Sequence, residues 1–139
     1  MVFPVSILKT GYRKKVLLVD DNIMMRRMII NLFMNENLEI DEASDGREGL
    51  DKIATRDYDL VITDIIMPVM EGIEMILEAK KLHPNLKIIA ISGSKPYYLY
   101  MAKKLGVDAV FNKPLNQHHF YAKVKNVLQF QPVRIFQAN

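Results

Sequence analysis

Cysteine is absent from the sequence, which excludes disulfides and thiolate metal sites and is compatible with a reducing compartment. No apolar run approaches the ~20 residues that a bilayer-spanning helix needs. The opening Met1–Thr10 stretch has neither a long hydrophobic region nor a small-residue cleavage site. No signal peptide is predicted, and a cytoplasmic location without membrane insertion is expected. Neither a P-loop nor a G-x-G-x-x-G follows the first apolar run, so nucleotide binding has no support. Charge imbalance is small: the net charge is +3, and the pairs Arg26-Arg27, Lys80-Lys81 and Lys103-Lys104 are scattered. Solvated helix faces account for them better than a nucleic-acid groove, and no nucleic-acid partner is expected. Internal repeats and low-complexity segments are also missing.

What is present is an alternation of short apolar runs and amphipathic stretches. The 139 residues predict one domain with a sizeable core, spanning 14–130 after an extension at 1–13 and before a short tail at 131–139. Val16-Leu17-Leu18-Val19 reads as a buried strand. Met25, Met28, Ile29 and Leu32 then repeat with helical spacing, Asp21 or Asn22 serving as cap. A weak strand (Leu38 to Ala43) and a helix (about Arg47 to Arg56, with Leu50, Ile53 and Ala54 inward) follow. Gly49 inside that helix implies close packing on the sheet. Further strands are predicted at Tyr58 to Asp64, Leu86 to Ile91 and Ala109 to Phe111. Helices are predicted to about Leu82 (Ile73, Ile76 and Leu77 inward), from Pro96 to about Leu105 (Leu99 and Ala102 inward), and from about Gln117 to Phe130. Strand and helix alternate five times, the pattern of an α/β parallel sheet with helices on both faces.

Every notable polar group comes directly after a strand: Asp20 and Asp21 after the first, Asp64 after the third, Ser92 after the fourth, Lys113 after the fifth. In a parallel sheet these ends share one rim, where ligands of open α/β sheets bind. Like-charged carboxylates ~4 Å apart repel by about 4 kcal/mol per pair at an effective dielectric of ~20. A hard divalent cation offsets that, and Mg²⁺ commonly takes one or two carboxylates with waters and phosphate oxygens. Three acids, Mg²⁺ and one lysine sum to zero charge, and a carboxylate can itself accept a phosphoryl group as nucleophile. Lysine and metal on the equatorial oxygens, with a hydroxyl for the product, are the parts phosphoryl transfer needs. His118-His119, adjacent and so on different faces, make a poor metal pair, and His83 reads as a turn residue.

Taken in order, Val16-Leu17-Leu18-Val19-Asp20-Asp21, Asp64-Ile65-Ile66-Met67-Pro68, Ile91-Ser92-Gly93 and Asn112-Lys113-Pro114 resemble the receiver domain of bacterial response regulators. The resemblance covers roughly Lys14 to Leu128, and with no output domain the chain is similar to the single-domain, chemotaxis-type members. It implies a flavodoxin-like doubly wound five-stranded sheet of order 2-1-3-4-5 with five helices in three layers. It also implies a signalling switch rather than an enzyme, one that catalyses only its own phosphotransfer and dephosphorylation. Asp64 would receive a phosphoryl group from a phosphohistidine on a histidine kinase or phosphotransfer protein. Asp21, Asp64 and the Ile66 carbonyl would bind Mg²⁺ directly, with Asp20 acting through water. Lys113 would contact the phosphoryl oxygens, its bond to Pro114 being cis, and Ser92 would swing toward the phosphoryl group.

Two departures from the family pattern bear on readout. The family often has Tyr or Phe three residues before the lysine, where this chain has Val110, with Phe111 on the opposite side of the strand. Phosphate lifetime in the family depends on the residues at Ile66 and Ser94, and an apolar Ile66 predicts slow self-hydrolysis. Tyr97, Tyr98 and Tyr100 cannot all pack inward and suit a contact surface. In receivers this helix, the last strand and the last helix form the output face. A downstream protein target is expected there, with a homodimer as a second use of the same face. The rival readings are a pseudo-receiver that binds partners without phosphate and an aspartyl-nucleophile phosphatase. The second needs an acid where Ile66 stands.

Overall fold

The computed structural model describes residues 13–93 and 95–128. Five strands, β1 (Lys14–Val19), β2 (Leu38–Ala43), β3 (Leu60–Asp64), β4 (Ile88–Ser92) and β5 (Ala109–Asn112), form one sheet. Its order is β2-β1-β3-β4-β5 and every pairing is parallel. Five helices alternate with them: α1 (Ile23–Leu32), α2 (Gly46–Thr55), α3 (Gly72–Leu82), α4 (Pro96–Lys104) and α5 (Gln117–Val127). The flavodoxin-like order and the three layers expected from the family resemblance are therefore present. Ser94, residues 1–12 of the N-terminal extension and the C-terminal tail lie outside the described residues, as does Phe130, the expected end of α5.

The period-2 alternation of each strand sends its side chains to two separate cores. Leu17, Val19, Val61, Ile88 and Ala90 pack beneath α2, α3 and α4 against Ile53, Met75, Ile76, Ala79, Leu99 and Ala102. Val16, Leu18, Leu60, Ile62, Ile89 and Ile91 pack beneath α1 and α5 against Ile29, Phe33, Phe120 and Val124. All five residues of β3 are buried, as they are in β4, since both strands are covered on both faces.

The helix starts carry their own signals. Asn22 accepts from the backbone N–H groups of Met24 and Met25 at the head of α1. Asp45 accepts from Glu48 N–H at 2.8 Å, and the Glu48 carboxylate returns to Ser44 N–H at 3.0 Å, a reciprocal cap on α2. Pro96 opens α4. Gly49 packs as expected, since a Cβ there would lie 2.9 Å from Met75 Sδ and 3.0 Å from Val19 Cγ2.

Two inward assignments fail. Ala54 is exposed, because the buried positions of α2 are Gly46, Gly49 and Ile53 and the next residue turns 100° away. Leu77 is 42% exposed; α3 begins at Gly72 and buries Gly72, Met75, Ile76 and Ala79, a stripe that passes it by. Two strands also start later than their apolar composition suggests. Tyr58 precedes β3 and donates its hydroxyl to Asp41 Oδ2 at 2.6 Å, and Leu86 is buried before β4 begins.

The β3–α3 loop is the tightest part of the chain. A Cβ at Gly72 would sit 2.3 Å from the Asp64 carbonyl oxygen, so only glycine allows α3 to start against the end of β3. Nearby, Val69 has φ +70°, a left-handed conformation that a β-branched residue adopts only under strain. Its side chain is 81% exposed and contributes little packing in return. Val69→Asn is therefore expected to raise folding stability by about 1 kcal/mol, read as a shifted midpoint in urea unfolding at unchanged slope.

Candidate functional site

Parallel register brings the polar residues together. Val19 pairs with Thr63 and Asp64 with Ile91, so β1, β3 and β4 end within a residue of one another. Ser92 pairs with Asn112, and Lys113 N–H donates to the Ser92 carbonyl at 3.0 Å. Asp20, Asp21, Asp64, Ser92 and Lys113 thus meet on one rim.

Lys113 is the centre of this arrangement. Its Nζ donates to Asp64 Oδ2 at 3.1 Å and to Asp20 Oδ2 at 3.4 Å. The second oxygen of each acid is held by backbone. Ile65 N–H donates to Asp64 Oδ1 at 2.8 Å, and Asn22 N–H donates to Asp20 Oδ1 at 2.8 Å. Both carboxylates are buried, 1% exposed for Asp20 and 6% for Asp64, whereas Asp21 is exposed. Because Asn22 caps α1, Asp21 is not consumed as a helix cap.

Burial pushes the Asp64 carboxyl above its ordinary range and the Asp20 charge adds to the push, with Lys113 opposing both. Burial also raises Asp20, against the Asn22 N–H and Lys113. For Lys113 burial works against the ammonium, but the two carboxylates outweigh it and hold its pKa above the ordinary lysine value. Carboxylate oxygens of Asp20, Asp21 and Asp64 lie within 4.8 Å of one another. This all-oxygen donor set, without imidazole or thiolate, fits a hard cation such as Mg²⁺.

The remaining expected residues divide. Ser92 is fully buried at the end of β4, and Ile66 is 39% exposed beside the rim. The Lys113–Pro114 peptide is cis. Val110 packs into the core under α4, while Phe111 meets Phe120 edge-to-face at 5.2 Å under α5. Tyr97 and Tyr100 are 61% and 57% exposed, and Tyr98 is half-buried against the α4 core. His118 and His119 are exposed, and His83 ends α3.

Two contributors were not singled out from the sequence. Arg26, read only as lying off the apolar face of α1, donates to the Asp20 carbonyl at 2.6 Å and pairs with Glu42 at 3.0 Å, fixing the backbone of the acidic loop. Gly93 lets the Lys113 stem pass, since a Cβ there would be 3.2 Å from Lys113 Cβ. Its position directly after a strand was the available signal. A cleft of about 310 Å³ lined by Arg56, Tyr58, His83 and Asn85 opens at the other end of the sheet, away from the carboxylates.

The doubly wound sheet that carries this lysine-bridged acid cluster at its carboxyl rim is also found by comparison with known proteins. The family profile of the response regulator receiver domain matches residues 16–125. The CpxR-homologue transcriptional regulatory protein of Haemophilus influenzae is 30% identical over 83% of this chain and 50% of its own length. The response regulator ArlR of Staphylococcus aureus is 28% identical over 85% of this chain and 54% of its own. This chain thus spans about half the length of these curated relatives. Among solved structures, a CheY-like receiver domain of Methanospirillum hungatei superposes with TM-score 0.80 at 31% identity, covering 85% of this chain and 95% of that one. TrrA of Thermotoga maritima, in complex with Mg²⁺-BeF, superposes with TM-score 0.75 at 33% identity, covering 82% and 98%. The chain belongs to the response regulator receiver domain family of two-component signalling. No helix among the described residues is long and apolar enough to cross a membrane.

The raised acids carry a stability signature. A folded pKa above the unfolded one makes the native state bind more protons, so stability falls as pH rises from the ordinary 3.8 through the folded value. The Lys113 contribution is lost only above the ordinary 10.5, outside that window. Asp20→Asn keeps the acceptor for Asn22 and removes one ionisation. In the metal-free protein it should be more stable than wild type near neutral pH, on the order of 1 kcal/mol. The gap should close below about 3.8, as read by urea unfolding at the two pH values.

Proposed function

We propose that the chain is a phosphorylation-dependent switch whose phosphoacceptor is Asp64. The observation that carries this reading is the approach of one lysine to two buried acids, Asp64 and Asp20, at 3.1 and 3.4 Å. A core-stabilising ion pair needs one carboxylate, and excess buried negative charge beside a cation suits an incoming anion and its metal.

The donor is a phosphohistidine on a histidine kinase or phosphotransfer protein. A carboxylate oxygen of Asp64 attacks phosphorus, the P–N bond breaks with its electron pair going to the imidazole nitrogen, and an acyl phosphate forms. Hydrolysis later returns the carboxylate and releases inorganic phosphate. Asp21, Asp64 and the Ile66 carbonyl would hold Mg²⁺, with Asp20 acting through water. When bound there, Mg²⁺ neutralises the clustered acids and screens the phosphoryl oxygens. Lys113 exchanges its carboxylate partners for phosphoryl oxygens, and Ser92 turns its hydroxyl toward them. That change at the end of β4 alters partner binding at α4, β5 and α5.

Val110 supplies no aromatic ring to follow Ser92, and Phe111 is engaged with Phe120. Readout therefore runs through repacking of α4 on the core rather than through an aromatic swing from β5. At the rim, Ile66 offers no polar atom on its side chain to align an attacking water, so the acyl phosphate is long-lived.

Incubation with Mg²⁺ and acetyl phosphate, followed by intact mass, tests the proposal. The expected result is one phosphoryl adduct, absent in Asp64→Asn and absent when EDTA removes the metal. No adduct on wild type would favour a pseudo-receiver that binds partners without phosphate. Loss of the adduct within seconds at neutral pH would contradict the role given to Ile66; Ile66→Asn should shorten its lifetime severalfold, as expected where a side chain orients a reacting water.

A further inference from the structure

At the end of the sheet opposite the acid rim, α2 and α3 both terminate, and a cleft of about 310 Å³ opens among the residues that follow them. Its floor is apolar, with Ile53 1% and Leu86 8% exposed. Its walls are braced by hydrogen bonds. His83 Nε2 donates to the Ile53 carbonyl at 3.1 Å, Leu86 N–H to the His83 carbonyl at 3.0 Å, and Lys80 Nζ to the Leu86 carbonyl at 3.1 Å. On the other side the Tyr58 hydroxyl and Arg56 both donate to Asp41 Oδ2, at 2.6 and 3.0 Å. A second cleft of about 410 Å³ shares Arg56, Asp57 and Tyr58 with the first.

The charges around the cleft favour a cation. Arg56 is answered by Asp41. Asp57 lines both clefts, is exposed, and has no ion-pair partner among the described residues. The carboxyl ends of α2 and α3 add partial negative charge at the same place. Lysines in the last turns of those helices are engaged elsewhere, Lys52 with Glu48, Lys80 with the Leu86 carbonyl and Lys81 with Glu78, and none of them lines the cleft. The Tyr58 ring offers a face to a cation as well.

We propose that this cleft binds a small organic ammonium with an aromatic or aliphatic body. Its nitrogen sits at Asp57 and the helix ends, and its body lies over Ile53, Leu82 and Leu86. The volume suits one ring with a short chain, at the small end of the ~300–1,000 Å³ range of ligand sites. An anion is a poor occupant, because Arg56 already has its carboxylate and the helix ends repel negative charge. A metal ion lacks ligands here: among the described residues, the group of three acids able to hold one is Asp20, Asp21 and Asp64 at the opposite end of the sheet. The site needs neither Asp64 nor its phosphoryl group, so it stands apart from the proposed switch.

The test titrates the full chain, in excess Mg²⁺, with phenethylamine, its neutral counterpart 2-phenylethanol and the anion 3-phenylpropionate, and follows backbone amide shifts. Phenethylamine should give saturable shifts at residues 56–58 and 82–86, with about tenfold higher affinity than the alcohol. The carboxylate should leave those amides unmoved. Asp57→Asn should weaken amine binding about fivefold and leave the alcohol unchanged. Leu82→Lys, which brings an ammonium of its own to the cleft, should abolish amine binding. Both positions are exposed, and an unchanged urea midpoint checks that each variant is folded. Equal affinity for amine and alcohol, tighter binding of the carboxylate, or amine shifts confined to the Asp20, Asp21 and Asp64 cluster would each overturn the proposal. So would a folded Asp57→Asn that binds the amine as wild type does.

Discussion

Crowded negative charge at the end of a parallel sheet is the constraint on which the rest of this molecule depends. Two buried carboxylates on neighbouring strands share one ammonium, and a third acid stands beside them in solvent. Such a cluster opposes folding when ionised, since desolvation and mutual repulsion both act against it. The chain tolerates it because each buried acid also receives a backbone N–H, from Ile65 or Asn22, and because two apolar cores hold the strand ends in place.

That division of labour runs through the whole fold. Strands covered on both faces supply rigidity, and the loops at their carboxyl ends supply chemistry. The loops are pinned by local devices: Asn22 at the head of α1, Arg26 on the Asp20 carbonyl, Gly72 under the Asp64 carbonyl, Gly93 beside the lysine stem. None of these touches a carboxylate oxygen of Asp20 or Asp64 through its side chain. Each limits where an acid or the lysine can go, which is what a site needs if one oxygen of Asp64 is to remain available to an incoming group.

Much of this was legible in the residues, for a physical reason. Continuous apolar runs such as Val16–Val19 and Leu60–Ile62, short and rich in β-branched residues, suit buried strands, and an acid following such a strand emerges at the sheet edge. Strand order, in contrast, came with the family resemblance, because nothing local in Leu38–Ala43 says which neighbour it pairs with. Helix faces were read less well. Leu77 and Ala54 look inward by composition, but a shift of one residue at a helix start rotates every position by 100°. Arg26 and Gly93 escaped because their roles are contacts between distant elements, and Asn22 could be separated from Asp21 as the cap only once the backbone was placed.

On the proposed switch, the route from the acids to α4 is short. Ser92 ends β4, Lys113 follows β5, and α4 packs on both strands, so a change of partner for that lysine bears directly on the helix carrying Tyr97 and Tyr100. The most direct test of the central claim is a crystal structure of the full chain grown with Mg²⁺ and beryllofluoride. The account predicts beryllofluoride joined to an Asp64 oxygen, Mg²⁺ among Asp20, Asp21 and Asp64, and Lys113 Nζ moved from Asp20 onto a fluorine. Density for the ions at any other acid, or an Asp64 still paired with Lys113 and bare of both ions, would contradict it.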